Sequence, residues 1–172
     1  CRRGNLDCGV IGQKRFYNIV MIPFYKYHGT GNDFIMIDNR DHIFDTTDTK
    51  KMKLLCDRHF GVGADGIIFL EKSLKADCFM NYYNSDGTLA EMCGNGVRCT
   101  VNFFIELTKS NQKEFSVETR AGIKKVTTSE DGSFSVIMGA PVFSHSDFPN
   151  SPISIENTKL EYSLTKKLFD GG

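Results

Sequence analysis

Asn84-Ser85-Asp86-Gly87-Thr88-Leu89-Ala90-Glu91-Met92-Cys93-Gly94-Asn95-Gly96-Val97-Arg98-Cys99, with the run that continues it to Thr108, decides how this chain folds. Asn-Ser-Asp-Gly is turn chemistry. Beyond it, Asn95 to Thr108 carries Val97, Val101, Phe104, Ile105 and Thr108 on one helical stripe and Cys99, Phe103 and Leu107 elsewhere around the circumference. A helix that is apolar nearly all round has to be covered on most sides, and the economical way to do so is to wrap strands around it.

The sequence on either side supplies those strands. From Phe24 onward, short apolar or alternating runs at Phe34 to Asp38, Gly66 to Glu71 and Cys78 to Tyr83 are separated by Gly, Asn and Asp turns. After the helix, Glu114 to Thr119 and Ile123 to Thr128 flank Arg120-Ala121-Gly122 as a hairpin, and Glu130-Asp131-Gly132 turns the chain into Phe134 to Met138. A second helix is expected over Thr49 to His59, with Met52, Leu55, Cys56 and His59 at helical spacing behind a cap at Asp48 and its place on the sheet surface. The fold class is α+β, a mixed or antiparallel sheet around a central buried helix.

Residues 21–141 are expected to form this domain. Residues 1–20 have no long apolar segment and no small-residue cleavage site, and are expected to be an extension outside the fold. Residues 142–172 open with a Ser, Pro, Asn and His-rich linker and are expected to begin a second domain whose remainder lies beyond the chain, because Ile153 to Gly172 is too short to bury a core.

Composition narrows the function. With 172 residues, 40% apolar content and 24% charged content the chain is long enough for one substantial domain. Lysine plus arginine and aspartate plus glutamate both number 21, so no net field points to nucleic acid or an anionic membrane surface. No apolar run approaches the roughly 20 residues of a membrane span. The expected ligand is a small molecule. Six cysteines, Cys1, Cys8, Cys56, Cys78, Cys93 and Cys99, show no C-x-x-C pair and no zinc-ligand spacing, and read as free thiols in a reducing cytoplasm.

Cys93 stands at the mouth of the central helix. There the unpaired backbone N–H groups and the positive end of the helix dipole stabilise an anion, so a thiolate is expected, and Gly94 and Gly96 let a carboxylate approach the same N–H groups. Base catalysis and acid binding would share one helix end. An arbitrary cysteine is more often a small core residue, and Gly-Asn-Gly is often only a turn. Gly61-Val62-Gly63-Ala64-Asp65-Gly66 does not read as a dinucleotide fingerprint, because it runs from helix to strand rather than from strand to helix.

Met92-Cys93-Gly94-Asn95-Gly96-Val97-Arg98-Cys99 resembles the catalytic-cysteine motif of the diaminopimelate epimerases. The resemblance extends to His28-Gly29-Thr30-Gly31-Asn32-Asp33-Phe34, to Arg58-His59-Phe60-Gly61-Val62-Gly63-Ala64-Asp65-Gly66 and to Asn84-Ser85-Asp86-Gly87, in the family's order, over about Tyr25 to Pro141. It implies two similar domains, strands around a central helix in each, with the active site in the cleft between them. It also implies interconversion of LL- and meso-2,6-diaminopimelate in lysine and peptidoglycan-precursor biosynthesis, with no cofactor and no metal, by a homodimer when full length.

Inversion through a planar carbanion needs a base on one face and a proton donor on the other. The resemblance makes Cys93 one of these two thiols and puts the other in the second domain. Cys99, six residues along the same helix, is expected to be structural. The resemblance further assigns the substrate's α-carboxylate to Gly94 and Asn95, and substrate polar groups to Asn32 and Asn84. From the sequence alone both asparagines read as turn formers. Gly66 departs from members that carry a substrate-contacting glutamine there, so no side-chain role is expected at that position. His28 and His59 are expected to be structural, and Asp33 and Asp65 to support the residues that touch substrate. Proline-racemase-like proteins resemble the chain only around the cysteine, typically with His in place of Asn95, and phenazine-biosynthesis-like proteins generally lack the cysteine. A chain holding one wall of the cleft is expected to be a noncatalytic fragment by itself.

Overall fold

The computed structural model describes residues 22–139. The expectations for residues 1–20 and 142–172 lie outside the described residues. The described chain runs β1 (Tyr25–Gly29), β2 (Asn32–Asp38), α1 (Thr49–Cys56), β3 (Gly66–Glu71), β4 (Cys78–Asn84), α2 (Gly94–Thr108), β5 (Glu114–Thr119), β6 (Gly122–Thr128) and β7 (Phe134–Val136). The strands form one seven-stranded sheet in sequence order. The β2–β3 and β4–β5 pairs are parallel and each encloses a helix; the other pairs are antiparallel.

The antiparallel β3–β4 pair reverses the strand direction between the two crossovers. Two crossovers of the usual right hand that advance the same way across a sheet, on strands of opposite direction, deliver their helices to opposite faces. The cores follow that division. On one face Phe34, Met36, Ile68, Leu70, Met80 and Tyr82 meet Val97, Val101 and Phe103 of α2. On the other, Ile35, Ile37, Ile67, Phe69 and Tyr83 meet Phe44 and the α1 residues Met52 and Cys56. Strands β2 and β3 are therefore apolar at successive positions, as strands covered on both faces must be. Strand β5 has one covered face and alternates, with Phe115, Val117 and Thr119 buried.

Helix α2 packs against all seven strands. Its buried residues are Gly96, Val97, Cys99, Thr100, Val101 and Phe103. The cover is incomplete: Asn102 and Glu106 lie on an exposed strip, and Thr108, read from the sequence as part of the apolar stripe, is exposed with its Oγ1 donating to the Phe104 carbonyl at 2.7 Å. The sheet wraps the helix as a half-barrel.

Three elements differ from the expectations: β7 ends at Val136, two residues short of Met138, and α1 and β1 differ more substantially. Helix α1 stops at Cys56, three residues short of His59, because the Asp57 carboxylate accepts from the N–H groups of His59 (2.7 Å) and Phe60 (2.8 Å) while the Leu55 carbonyl takes Val62 and Gly63 instead of continuing the helix. Asp48 does cap the helix, accepting from Lys51 N–H at 3.0 Å. Strand β1 is additional. It pairs with β2 through a two-residue turn, Thr30-Gly31, in which both residues have positive φ, the backbone that suits the twist of a tight hairpin. The side chains on its helix-facing side are aromatic, the half-buried Tyr27 and the more exposed Tyr25, whose rings lie 5.8 and 4.9 Å from the ring of Phe103. No helix among the described residues is long and apolar enough to cross a membrane.

Candidate active site

Cys93 is the N-cap of α2. Its extended backbone (φ −141°, ψ 122°) turns the side chain back over the first helical turn, where the Gly96 N–H donates to Sγ at 3.5 Å, while its carbonyl accepts from Val97 N–H at 2.8 Å. A Cβ at Gly96 would lie 3.0 Å from Ile68 Cδ1 and 3.5 Å from Met80 Sδ, so the missing side chain brings the helix start down onto β3 and β4. Among the four described cysteines Cys93 alone is half-buried, and the others lie in the cores. Burial pushes the Cys56 and Cys99 thiols up to about 11 and the Cys78 thiol up to about 12, which keeps all three protonated and unreactive.

The hairpin turn between β1 and β2 abuts this helix end. Asn32, the first residue of β2, places Oδ1 3.5 Å from Cys93 Sγ, with the thiol donating. Its Nδ2 donates to Asp65 Oδ2 at 2.8 Å. Thr30 Oγ1 donates to Asn95 Oδ1 at 3.4 Å, and Arg98 donates to the same oxygen. Gly94 and Asn95 are the first two helical residues, whose N–H groups have no carbonyl one turn back to accept them.

Asn84 closes β4 on the same edge of the sheet, opposite Gly66, the first residue of β3. Its Nδ2 donates to Thr88 Oγ1 at 3.1 Å, which fixes the amide in the Asn84–Thr88 turn rather than on Cys93 or Asn32. The chain then returns beside β4, Ala90 N–H donating to the Tyr82 carbonyl at 3.1 Å, and delivers Cys93 to the edge where Asn32 and Asn84 stand. The site residues read from the sequence are thus gathered on one sheet edge, with direct contact between Cys93 and Asn32.

Behind Asn32 is an ion cluster. Arg58 donates to Asp33 Oδ1 at 2.7 Å and Oδ2 at 3.2 Å and to Asp65 Oδ1 at 2.8 Å, and Lys26 pairs with Asp33 Oδ2 at 2.7 Å. The backbone joins in, Asp33 N–H donating to Asp65 Oδ2 at 3.2 Å and Asp65 N–H to Asp33 Oδ1 at 3.1 Å. The Arg58 guanidinium, with smaller help from Lys26, holds the Asp33 carboxyl well below the usual carboxylate range, against the opposing effect of partial burial. The expectations from sequence include neither Arg58 nor Lys26. The available signal was the pairing of a basic residue in the third motif with the aspartates of the second and third.

His28 is exposed on β1 and, with Lys26, Tyr27, Gly31, Asp33 and Arg58, lines an open cleft of about 430 Å³. His59 is exposed in the turn after α1. At Gly66 a Cβ would fall 2.5 Å from the Tyr83 carbonyl oxygen and 2.6 Å from Tyr82 Cε2. The Tyr82 ring fills the space that a larger residue would need.

The family model for diaminopimelate epimerase matches residues 24–144. A diaminopimelate epimerase of Trichodesmium erythraeum is 44% identical over 142 residues, 82% of this chain and 51% of the relative, and a chloroplastic diaminopimelate epimerase of Oryza sativa subsp. japonica is 45% identical over 138 residues, 79% of this chain and 39% of the relative. The chain spans about half the length, or less, of these curated relatives. In fold it is similar to a phenazine biosynthesis protein of the PhzF family from Bacillus anthracis, with a TM-score of 0.52 and 21% identity over 67% of this chain and 39% of that one. It is also similar to a hydroxyproline epimerase from Agrobacterium vitis, with a TM-score of 0.50 and 16% identity over 67% of this chain and 40% of that one. By its matched motifs and the extent of the match, this chain belongs to the diaminopimelate epimerase family.

Proposed function

We propose that this chain supplies one wall of the active site of a diaminopimelate epimerase, an isomerase that interconverts LL- and meso-2,6-diaminopimelate, and that Cys93 is one of its two acid/base thiols. The observation that carries the reading is the sulfur of the half-buried Cys93 at the start of α2, between the Gly96 N–H and the side-chain amide oxygen Oδ1 of Asn32.

The reaction breaks the α-C–H bond on one face and forms it on the other. A thiolate takes the proton, the electron pair passes into the α-carboxylate as an enediolate, and a thiol on the opposite face returns a proton to carbon, so each turnover exchanges the protonation states of the two sulfurs. Neither a metal nor pyridoxal phosphate takes part in this scheme. The N–H groups of Gly94 and Asn95 at the positive end of α2 hold the α-carboxylate and stabilise the charge that develops on it. Asn32 and Asn84, on the rim of the same edge, contact the polar groups of the substrate.

The second thiol belongs to the part of the family's length that this chain does not span, so the chain by itself is a noncatalytic half-site. Water reaches Cys93, and no opposing acid completes the inversion. The full-length protein acts as a homodimer on a small molecule, in a reducing compartment that keeps both sulfurs as thiols, the cytoplasm in the simplest case.

The test is α-proton exchange of LL-diaminopimelate in deuterated water, followed by NMR, for the full-length protein, its Cys93→Ala variant and this chain alone. Exchange with stereoinversion in the first and its loss in the other two supports the reading. No exchange by the folded, reduced full-length protein rejects the substrate, and turnover by this chain alone rejects the half-site.

A further inference from the structure

An asparagine amide has a donor end and an acceptor end, and which end meets a cysteine decides which protonation state of the sulfur is favoured. At Asn32 the choice is made by Asp65. The Asp65 carboxylate only accepts, and both its oxygens are engaged: Oδ1 by Arg58 at 2.8 Å, Oδ2 by Asn32 Nδ2 at 2.8 Å and Asp33 N–H at 3.2 Å. Turning the amide over would set its oxygen against a carboxylate oxygen at the same distance, a repulsive contact between two acceptors. Nδ2 therefore stays with Asp65, and Oδ1 is left 3.5 Å from Cys93 Sγ.

We infer that Asp65 is a positioning residue for Cys93: by fixing the Asn32 amide it presents an acceptor to the sulfur and holds Cys93 as an S–H donor, in opposition to the Gly96 N–H, which favours the thiolate. The sulfur thus has one acceptor and one donor at equal 3.5 Å distances. That arrangement suits a group that alternates between acid and base, because neither form is held with all the available hydrogen bonds. The inference rests on the proposed catalytic role of Cys93 for its significance, but its content concerns the sulfur's proton and is read without any epimerisation assay. Other ionisable groups near this helix end include Asp33, Arg58 and Lys26 of the ion cluster, Tyr82 on β4, Glu91 in the segment leading into the helix, and Arg98 and Cys99 on α2.

The experiment is iodoacetamide alkylation of this chain across pH 5 to pH 10, roughly the range in which thiols ionise, with Cys93 followed by peptide-resolved mass spectrometry. In Asp65→Asn the carboxylate no longer excludes the other amide orientation, so Asn32 is free to turn a second N–H donor toward the sulfur. Cys93 alkylation at pH 7 should rise about three- to tenfold, and the pH–rate profile should move toward acid by about half to one unit. Loss of the Asp65 charge would act in the same direction through space, so the same substitution is made in an Asn32→Ala background. If the effect passes through the amide it vanishes there; if it persists at full size, or if Asp65→Asn leaves the profile unmoved, the inference is overturned. Should Asp65→Asn unfold the hairpin, seen as labelling of buried Cys56 and Cys78, the single variant Asn32→Ala decides: removing the acceptor should accelerate Cys93 alkylation, and an unchanged or slower rate sinks the proposal.

Discussion

Gly66 and Tyr82 occupy one another's space across the β3–β4 ladder: a Cβ at position 66 would stand 2.6 Å from Tyr82 Cε2, with the Tyr83 carbonyl oxygen closer still at 2.5 Å. The ring could swing away at some cost, but the carbonyl is held in the register that pairs Gly66 with Asn84 and Ile67 with Tyr83. A methyl group must therefore push β3 from β4 where Asn84 is fixed. Gly66→Ala should destabilise the domain by about 2 to 3 kcal/mol, toward the upper part of the range for overpacking a core, read as a lower urea midpoint with an unchanged slope. A midpoint equal to that of the parent chain would show that the space is larger than the structure indicates.

Thiol chemistry should separate Cys93 from the other described cysteines. Burial raises Cys56, Cys78 and Cys99 well above an ordinary thiol and shields them from reagent, whereas Cys93 is half-buried at a helix start. In the native chain at pH 8, iodoacetamide should modify Cys93 at least about tenfold faster than any of these three, a gap that urea should abolish. Equal native rates would mean that the helix end is closed or that the core opens readily.

The central helix, the strands that flank it and the α+β class were legible because their signals are local: apolar positions at helical spacing from Val97 onward, and apolar runs at β2 and β3 bounded by turn residues. Strand β1 was not legible. Its packing depends on Tyr25 and Tyr27 finding Phe103, a contact between residues more than seventy positions apart, while Lys26 and His28 are polar and exposed. The end of α1 was misread for the opposite reason, since His59 fits the helical spacing but the Asp57 side chain captures its N–H. In the candidate site, motif resemblance pointed to Cys93, Asn32, Asn84, Gly94 and Asn95. It did not reveal that, of these residues, Asn32 is the one whose side chain bonds to the sulfur, which depends on how the hairpin turn meets the start of α2, or that Arg58 ties Asp33 to Asp65, which depends on how the turn after α1 meets the starts of β2 and β3.

Phe103 links the missed strand to the core. It is fully buried, with the rings of Tyr25 and Tyr27 on it. Phe103→Ala should cost about 3 to 5 kcal/mol, the usual range for removing a buried aromatic ring. Hydrogen exchange should show the loss locally first, at the β1 amides that pair with β2, because β1 is the end strand of the sheet and Phe103 is where its aromatic side chains meet the helix. If β1 stays protected while the whole domain weakens uniformly, the strand is held by its ladder and not by the aromatic contacts.

Acid should weaken the domain through Asp33. Its carboxyl titrates lower in the folded chain than in the unfolded one because Arg58, and less strongly Lys26, bond the ionised form. The unfolded state then binds more protons between the two values, so stability rises with pH in that window. Asp33 gives its full contribution above the unfolded value near 4 and loses it as pH falls from there toward its depressed folded value. Asp38, held down by Arg40, adds to the same trend. Asp33→Asn should therefore lower the urea midpoint at pH 7 more than at pH 3, and so reduce the difference between the two. Arg58→Ala should reduce it in the same way, although Arg58 is itself exposed, because the effect is registered in the proton affinity of Asp33. A pH 7 to pH 3 difference left intact in both variants would mean that solvent, and not the guanidinium, satisfies the carboxylate.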